Sequence, residues 1–209
     1  MTISRTWPIV FRRHPVPFIT AWSPEIVRVP PLGAGRGGLT MRGHDRDDLG
    51  MLWQPFGDAP GVGEPRHGTV HGPRQRLAMR KRLCQTCRAP ADHDERGFLW
   101  LLEGRADDPD WLFEGVRTMH PPVCRRCALA AAQIPYLRKR AVAIRVQQPE
   151  VDCVYGQPHH RSWGGPVPGA PRTVSLQQPE ARWMLGAQLV VSLHGCTPVS
   201  LDELLTLTA

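Results

Sequence analysis

Leu83-Cys-Gln-Thr-Cys-Arg-Ala-Pro-Ala91 and His120-Pro-Pro-Val-Cys-Arg-Arg-Cys-Ala128 are the stretches that decide how this chain folds. Each holds a Cys-x-x-Cys pair, Cys84/Cys87 and Cys124/Cys127, and 36 residues separate the two pairs. A two-residue spacer lets both sulfurs of one pair reach a single ion, so four thiolates in two pairs form the ligand set of a closed tetrahedral Zn2+ site. Such a site leaves no coordination position for a substrate, so the metal is expected to build a fold rather than to carry a reaction. A redox dithiol would need a thioredoxin-like βαβ setting, and neither pair has one.

Basic residues crowd both pairs. Pro73 to Arg88 carries Arg74, Arg76, Arg80, Lys81, Arg82 and Arg88 with no acid, and Cys124 to Arg145 carries Arg125, Arg126, Arg138, Lys139, Arg140 and Arg145, again with none. Between them, Ala91 to Gly115 holds Asp92, Asp94, Glu95, Glu103, Asp107, Asp108, Asp110 and Glu114 against Arg96 and Arg105. A shared metal would draw the two basic runs together and segregate charge around itself. The net charge is +7, and the 24 Arg against 2 Lys are the skew that a GC-rich genome produces, so the total says less than the positions.

Moving outward, Gly72-Pro73 followed by Arg74 to Leu83 predicts a short helix, with Pro in the first turn and good helix formers behind it. Its Arg76/Arg80 and Arg74/Arg82 rows predict a mostly cationic surface. Gly97-Phe-Leu-Trp-Leu-Leu102 reads as a strand, Glu103 to Asp110 as a turn and Trp111 to Phe113 as a return strand, which makes a hairpin between the knuckles. The run Ala128-Leu-Ala-Ala-Ala132 places Cys124 and Cys127 in the first turn of a helix that stops before Pro135. Ala141 to Gln147 and Arg172 to Leu176 read as strands, and Glu180 to His194 as an amphipathic helix ending at Gly195. Ser200-x-x-Glu203 matches a capping box. Upstream, Pro and Gly break residues 1–72 into short extended segments, and Pro31 to Gly38 reads as a linker.

The chain of 209 residues is 41% hydrophobic, enough for a core, and its 42 Gly and Pro predict loop-rich structure short of low complexity. No apolar run approaches 18 residues, and Arg5, Arg12, Arg13 and His14 interrupt the start where a signal peptide would be apolar. With Cys153 and Cys196 the only further cysteines, the expectation is a cytoplasmic protein without a membrane partner.

The order of knuckle, hairpin and helix carrying the second pair resembles a treble clef over roughly residues 83–134. The same residues are similar to small zinc-knuckle proteins of high-GC Gram-positive bacteria, a resemblance that brings no activity with it. The fold class is therefore α+β, with an irregular β-rich region over 1–72, a four-cysteine zinc module over 73–145 and a mixed α/β region over 146–209 packed on the module.

Several functions compete. A joined cationic face of Arg74, Arg76, Arg80, Lys81, Arg82, Arg125, Arg126, Arg138, Lys139 and Arg140 points to a non-enzymatic protein that binds DNA or RNA through phosphate. An adaptor for a protein partner would use the apolar helix Trp183 to Leu193, although Ala187, Leu189, Val190 and Leu193 suit a core better. HNH nucleases use treble clefs with the same Cys pairs, and the resemblance would give Asp92-His93 the role of activating water. Here that dipeptide follows Cys87 after four residues, Ala128 stands where the family has Asn, and the chain contains no Asn. Zinc deaminases carry His-x-Glu and Pro-Cys-x-x-Cys, which His93-x-Glu95 and Cys124-x-x-Cys127 echo. Val123 separates Pro122 from Cys124, however, and Cys84 and Cys87 would go unused.

Overall fold

A computed structural model describes residues 16–105, 109, 113–200 and 203–204. In chain order these form β1 (Thr20–Trp22), β2 (Leu32–Gly35), β3 (Gly38–Met41), β4 (Leu52–Trp53), β5 (Pro65–Val70), α1 (Gly72–Lys81), β6 (His93–Asp94) and β7 (Gly97–Glu103). β8 (Arg117–Thr118), α2 (Arg125–Ala132), α3 (Pro135–Arg138), β9 (Ala141–His160), β10 (Val167–Pro168), β11 (Arg172–Ser175), a 3₁₀ turn (Pro179–Trp183) and β12 (Met184–Val199) follow. Helix and strand are thus mixed as expected. Among the described residues no helix is long and apolar enough to cross a membrane.

The antiparallel ladder of β9 and β12 organises the molecule. It belongs to a sheet of order β4-β12-β9-β7-β6, with β10 and β11 also on β9 and β8 on β12. β9 runs unbroken through positions 145 and 146. Pro149, which lacks an N–H, faces Leu193 in this ladder. Leu193 turns its own N–H to Val116 and its C=O to Gly115 N–H, so no β9–β12 bond is missed there.

The segment expected as a helix from Glu180 to His194 is instead the 3₁₀ turn and the first two thirds of β12. Leu185, Leu189, Val190, Val191 and Leu193 are all buried because the sheet is covered on both faces, and a strand buried on both faces loses the alternation that would distinguish it from a helix. Gly186 marks the difference: a Cβ there would lie 2.6 Å from the Trp53 ring and 3.0 Å from Val154. The adaptor face assigned to Trp183–Leu193 is therefore core. Pro31 to Gly38, read as a linker, folds largely into the β2–β3 hairpin, in which Leu32 pairs with Met41 and Gly35 with Gly38.

β7 explains how the sheet positions the metal site. Trp100 and Leu102 join Met79 of α1 and Ile144 of β9 in one core, whereas Leu99 and Leu101 join Cys84, Val123 and Ala128 in another. Alternate side chains of one strand thus pack α1 on one face and the cysteine module on the other. The hairpin between the knuckles is β6–β7, with His93 opposite Phe98 and Asp94 opposite Gly97. Gly97 has φ +105° and lies so close to the Val146 carbonyl that no Cβ fits. Of the expected return strand, Trp111 and Leu112 lie outside the described residues, and Phe113 sits in a turn.

Candidate metal centre

α1 delivers the first knuckle. Arg82 ends the helix in the left-handed region at φ 52°, and Leu83 N–H reaches back 2.9 Å to the Ala78 carbonyl in a Schellman closure. Cys84 N–H then donates to Ala89 C=O at 2.7 Å, and Arg88 N–H to Cys84 C=O at 3.0 Å, which curls the four-residue pair into a loop. Arg88 closes that loop at φ 66°, a conformation glycine adopts more easily. Its guanidinium lies 5.4 Å from the Phe18 ring centre.

The second knuckle opens α2. Cys124 is the N-cap residue and Cys127 lies in the first turn, where the positive end of the helix favours thiolate. Gln85 N–H donates to Pro122 C=O at 3.0 Å, which ties the two knuckles to each other. Val123 N–H donates to Leu99 C=O at 2.9 Å and so ties the second knuckle to β7.

These hydrogen bonds bring the four sulfurs of Cys84, Cys87, Cys124 and Cys127 within 4.8 Å of one another. Cys87 and Cys124 Sγ stand 3.6 Å apart, close to the roughly 3.8 Å that four thiolates about 2.3 Å from a tetrahedral ion would have. Thr86 N–H points at Cys84 Sγ from 3.4 Å, a donor suited to a ligating thiolate. Burial pushes the Cys124 thiol up to about 11 and the Cys127 thiol higher still. Burial also opposes ionisation at Cys87, but the Ala89 N–H and the neighbouring sulfurs bring it down. Four crowded thiols are best satisfied by a cation that deprotonates them together, and the set fits one soft, tetrahedral metal ion.

No described His, Asp or Glu joins the sulfurs. His93 is exposed and packs against Phe98 with ring centres 4.4 Å apart, while Asp92 and Asp94 lie 2.5 and 3.3 Å from the buried guanidinium of Arg145. The segment that motivated the nuclease and deaminase readings is an ion-paired turn. A second cluster, Glu25, Asp58 and His71, has close oxygens and nitrogens, but Glu25 and His71 are already engaged and Asp58 is exposed. Arg74 grips both Glu25 oxygens at 2.6 Å, and His71 caps α1 by accepting Arg74 N–H on Nδ1 while Nε2 lies 3.0 Å from Gly57 C=O. His71 is thus part of the α1 cap.

The ten basic residues grouped as one face separate into two sets. Arg74 is buried on Glu25, and Arg76 lies 4.3 Å over the Trp53 ring, where burial lowers its pKa to about 10. Arg80 pairs with Asp47 and Asp48, and Arg82 donates to the carbonyls of Met79 and Pro149. Most of the cationic surface expected of α1 is engaged within the protein; Arg80, ion-paired, and Lys81 remain exposed. In the second set, Arg125 Nε donates to Leu204 C=O at 2.5 Å, and Arg140 lies over Tyr136. Arg126, Arg138 and Lys139 are exposed and form no ion pair among the described residues.

Sequence reading missed Gln75, which is fully buried and substitutes for a strand: its amide donates to Met119 and Leu189 carbonyls and accepts Leu189 N–H. It also missed Glu25, whose only sequence signal is a lone acid in a Pro-flanked apolar stretch. Cys153 is buried and Cys196 half-buried, and burial pushes each up to about 12.

The chain matches no protein-family model, no curated protein and no solved structure.

Proposed function

We propose that this is a non-enzymatic protein held by one Zn2+ in a treble-clef-type module, associating with nucleic acid through phosphate contacts from α2, α3 and the turn after them. The observation that carries the reading is the contrast among the cations: Arg126, Arg138 and Lys139 stay exposed and form no ion pair among the described residues, whereas the arginines of α1 are engaged. Exposed guanidinium and ammonium groups without acid partners can neutralise phosphate and release counterions. Knuckle, β6–β7 hairpin and a helix opening at the second pair support the treble-clef assignment. Four thiolates of soft character support Zn2+, and a closed ligand set supports a structural role. The buried, unbridged Cys153 suits a reducing compartment such as the cytoplasm.

Metal analysis of the purified protein tests the ion: one zinc per chain is expected, and an iron-coloured protein would replace zinc in the reading. Fluorescence anisotropy with random duplex DNA and single-stranded RNA, across about 50 to 300 mM salt, tests the surface. Binding should weaken with salt, and the triple variant R126Q/R138Q/K139Q should flatten the log–log slope by about 0.7–0.9 for each phosphate it no longer neutralises. Absence of binding at the lowest salt overturns the nucleic-acid reading.

A further inference from the structure

A cavity of about 300 Å³ is bounded by the β2–β3 turn, the loop between β3 and β4, and the connection from β11 into the 3₁₀ turn. Its volume sits at the lower limit of small-molecule sites. Arg46 and Arg182 are its only ionisable lining residues, and Gln177, Gln178, Leu49 and Leu176 line it with them. Two cations that share one cavity without an acid repel each other, so the fold must hold them there.

Arg46 is the anchor. Its Nη2 donates to the Leu39 and Arg182 carbonyls at 2.6 and 2.8 Å, and its Nη1 to the Gly50 carbonyl at 2.7 Å. Carbonyls orient a guanidinium without cancelling its charge, and three such bonds leave two of the five N–H groups for a further acceptor. Gly38, at φ +122°, lets the hairpin approach so closely that a Cβ would strike the Arg182 carbonyl. Nearby acids are committed elsewhere. Asp47 accepts from Leu49 N–H, Met51 N–H and Trp53 Nε1 and pairs with Arg80, Asp48 also pairs with Arg80, and Glu180 pairs with Arg172. Asp45 is exposed and outside the lining. Burial, and after it the charge of Arg182, holds Arg46 below its ordinary range. The cationic pair is thus both preorganised and uncompensated, an arrangement that an anion relieves.

We infer that this cavity is a binding site for a small phosphate dianion, free or carried on a small organic body, held between Arg46 and Arg182. Guanidinium matches phosphate in shape and in donors, and a phosphate monoester carries about −1.5 to −2 at pH 7, more than a carboxylate does. The exposed Gln177 and Gln178 supply amide donors, and Leu49 and Leu176 a wall for a short carbon body. Residues 1–15 and 205–209 contain no Asp or Glu and so supply no such anion. Asp107, Asp108, Asp110 and Asp202 fall between residues held towards the Val199 end of β12, where Gly104 N–H meets Arg140 C=O, Cys196 Sγ meets Phe113 C=O and Glu203 pairs with Arg96. The cavity lies at the Met184 end. It goes beyond the nucleic-acid reading and shares no residue with it.

Isothermal titration calorimetry of the full-length zinc-loaded protein with inorganic phosphate, glycerol 3-phosphate and acetate is the test. One saturable phosphate site per chain is expected, with a Kd below about 1 mM. R182Q, at an exposed position, should weaken it by about tenfold or more, whereas R28Q, which removes an exposed charge outside the lining, should stay within about twofold. Circular dichroism and zinc content report that both are folded. R46Q would also release three carbonyls, so the decision rests on R182Q. Acetate should bind about tenfold or more weakly than phosphate. Glycerol 3-phosphate binding as tightly as phosphate supports a carried phosphate seated on the Leu49–Leu176 wall, and its exclusion while phosphate binds supports free phosphate. Absence of saturable phosphate binding overturns the proposal. So does equal weakening by R182Q and R28Q, which would make the binding a diffuse effect of surface charge, and so does acetate binding as tightly as phosphate, which would make the site one for carboxylates.

Discussion

The basic run from Pro73 to Arg88 and the one from Cys124 to Arg145 each hold five Arg and one Lys without an acid, yet their helices use those charges differently in the folded protein. On α1, Arg74, Arg76, Arg80 and Arg82 each meet an acid, an aromatic ring or a carbonyl, because β12, the Glu25 turn and the Asp47–Asp48 loop surround the helix. On α2 and α3, Arg126, Arg138 and Lys139 face outward, because these short helices bury only Ala128 and Leu137. A run of arginines therefore measures charge without measuring surface. In the first region guanidinium forks act as struts, and in the second they are available to a partner.

Metal removal should produce the largest effect and touches both regions, since the knuckles tie α1 to α2. C124S, or chelation of the native protein, should remove about 10 kcal/mol or more of coupled folding energy and give aggregation or rapid proteolysis. A metal-free C124S protein with native circular dichroism and an unchanged urea midpoint would contradict that. Next comes the sharpest test of the contrast itself: R74A leaves the Glu25 carboxylate buried without its partner and should cost about 3–5 kcal/mol, whereas R138A should stay within about 0.5 kcal/mol. Equal urea midpoints for the two variants would erase the distinction.

Acid should reveal the α1 region more gently. Burial opposes ionisation of Glu25, but the hydrogen bonds from Arg74, Trp22 N–H and Ala59 N–H outweigh it and hold the group at about 2 against 4.5 unperturbed. Burial, helped by the charge of Arg74, holds His71 below its ordinary 6.5. Both folded values are depressed, so the unfolded chain binds more protons as pH falls. The stability these groups contribute is complete above about pH 6.5 and declines below it, first through His71 and then through Glu25. Urea midpoints of zinc-loaded protein should decrease between about pH 7 and 5, and H71N, which keeps a capping side chain without titrating, should remove most of that slope. An identical slope in H71N would assign the acid sensitivity elsewhere.

How much of this was legible follows the range of the interactions involved. Pro73 and the residues after it specify α1, the Ala run specifies α2, and Ser200 accepts Glu203 N–H at 3.0 Å as its capping motif predicts. Each depends on partners within a turn or two of chain. The strand Met184–Val199 was hidden because burial on both faces removes its alternation, and the local hints were Gly186 and the pair Val190 and Val191. Glu25 and Arg74, 49 positions apart, and Gln75 and Leu189, 114 apart, gave no pattern to read.

The amino-acid sequence by itself determined that four cysteines would gather as a set able to hold one metal ion, because a two-residue spacer fixes each pair locally and thiolates in two such pairs share one preferred geometry. It also determined the helices that carry them. Which arginines reach solvent, which face of β7 meets the metal module, and the cavity between Arg46 and Arg182 were decided only by tertiary structure. Those properties depend on what packs against a residue from distant parts of the chain, and a buried charge is indistinguishable from an exposed one until its partner is in place.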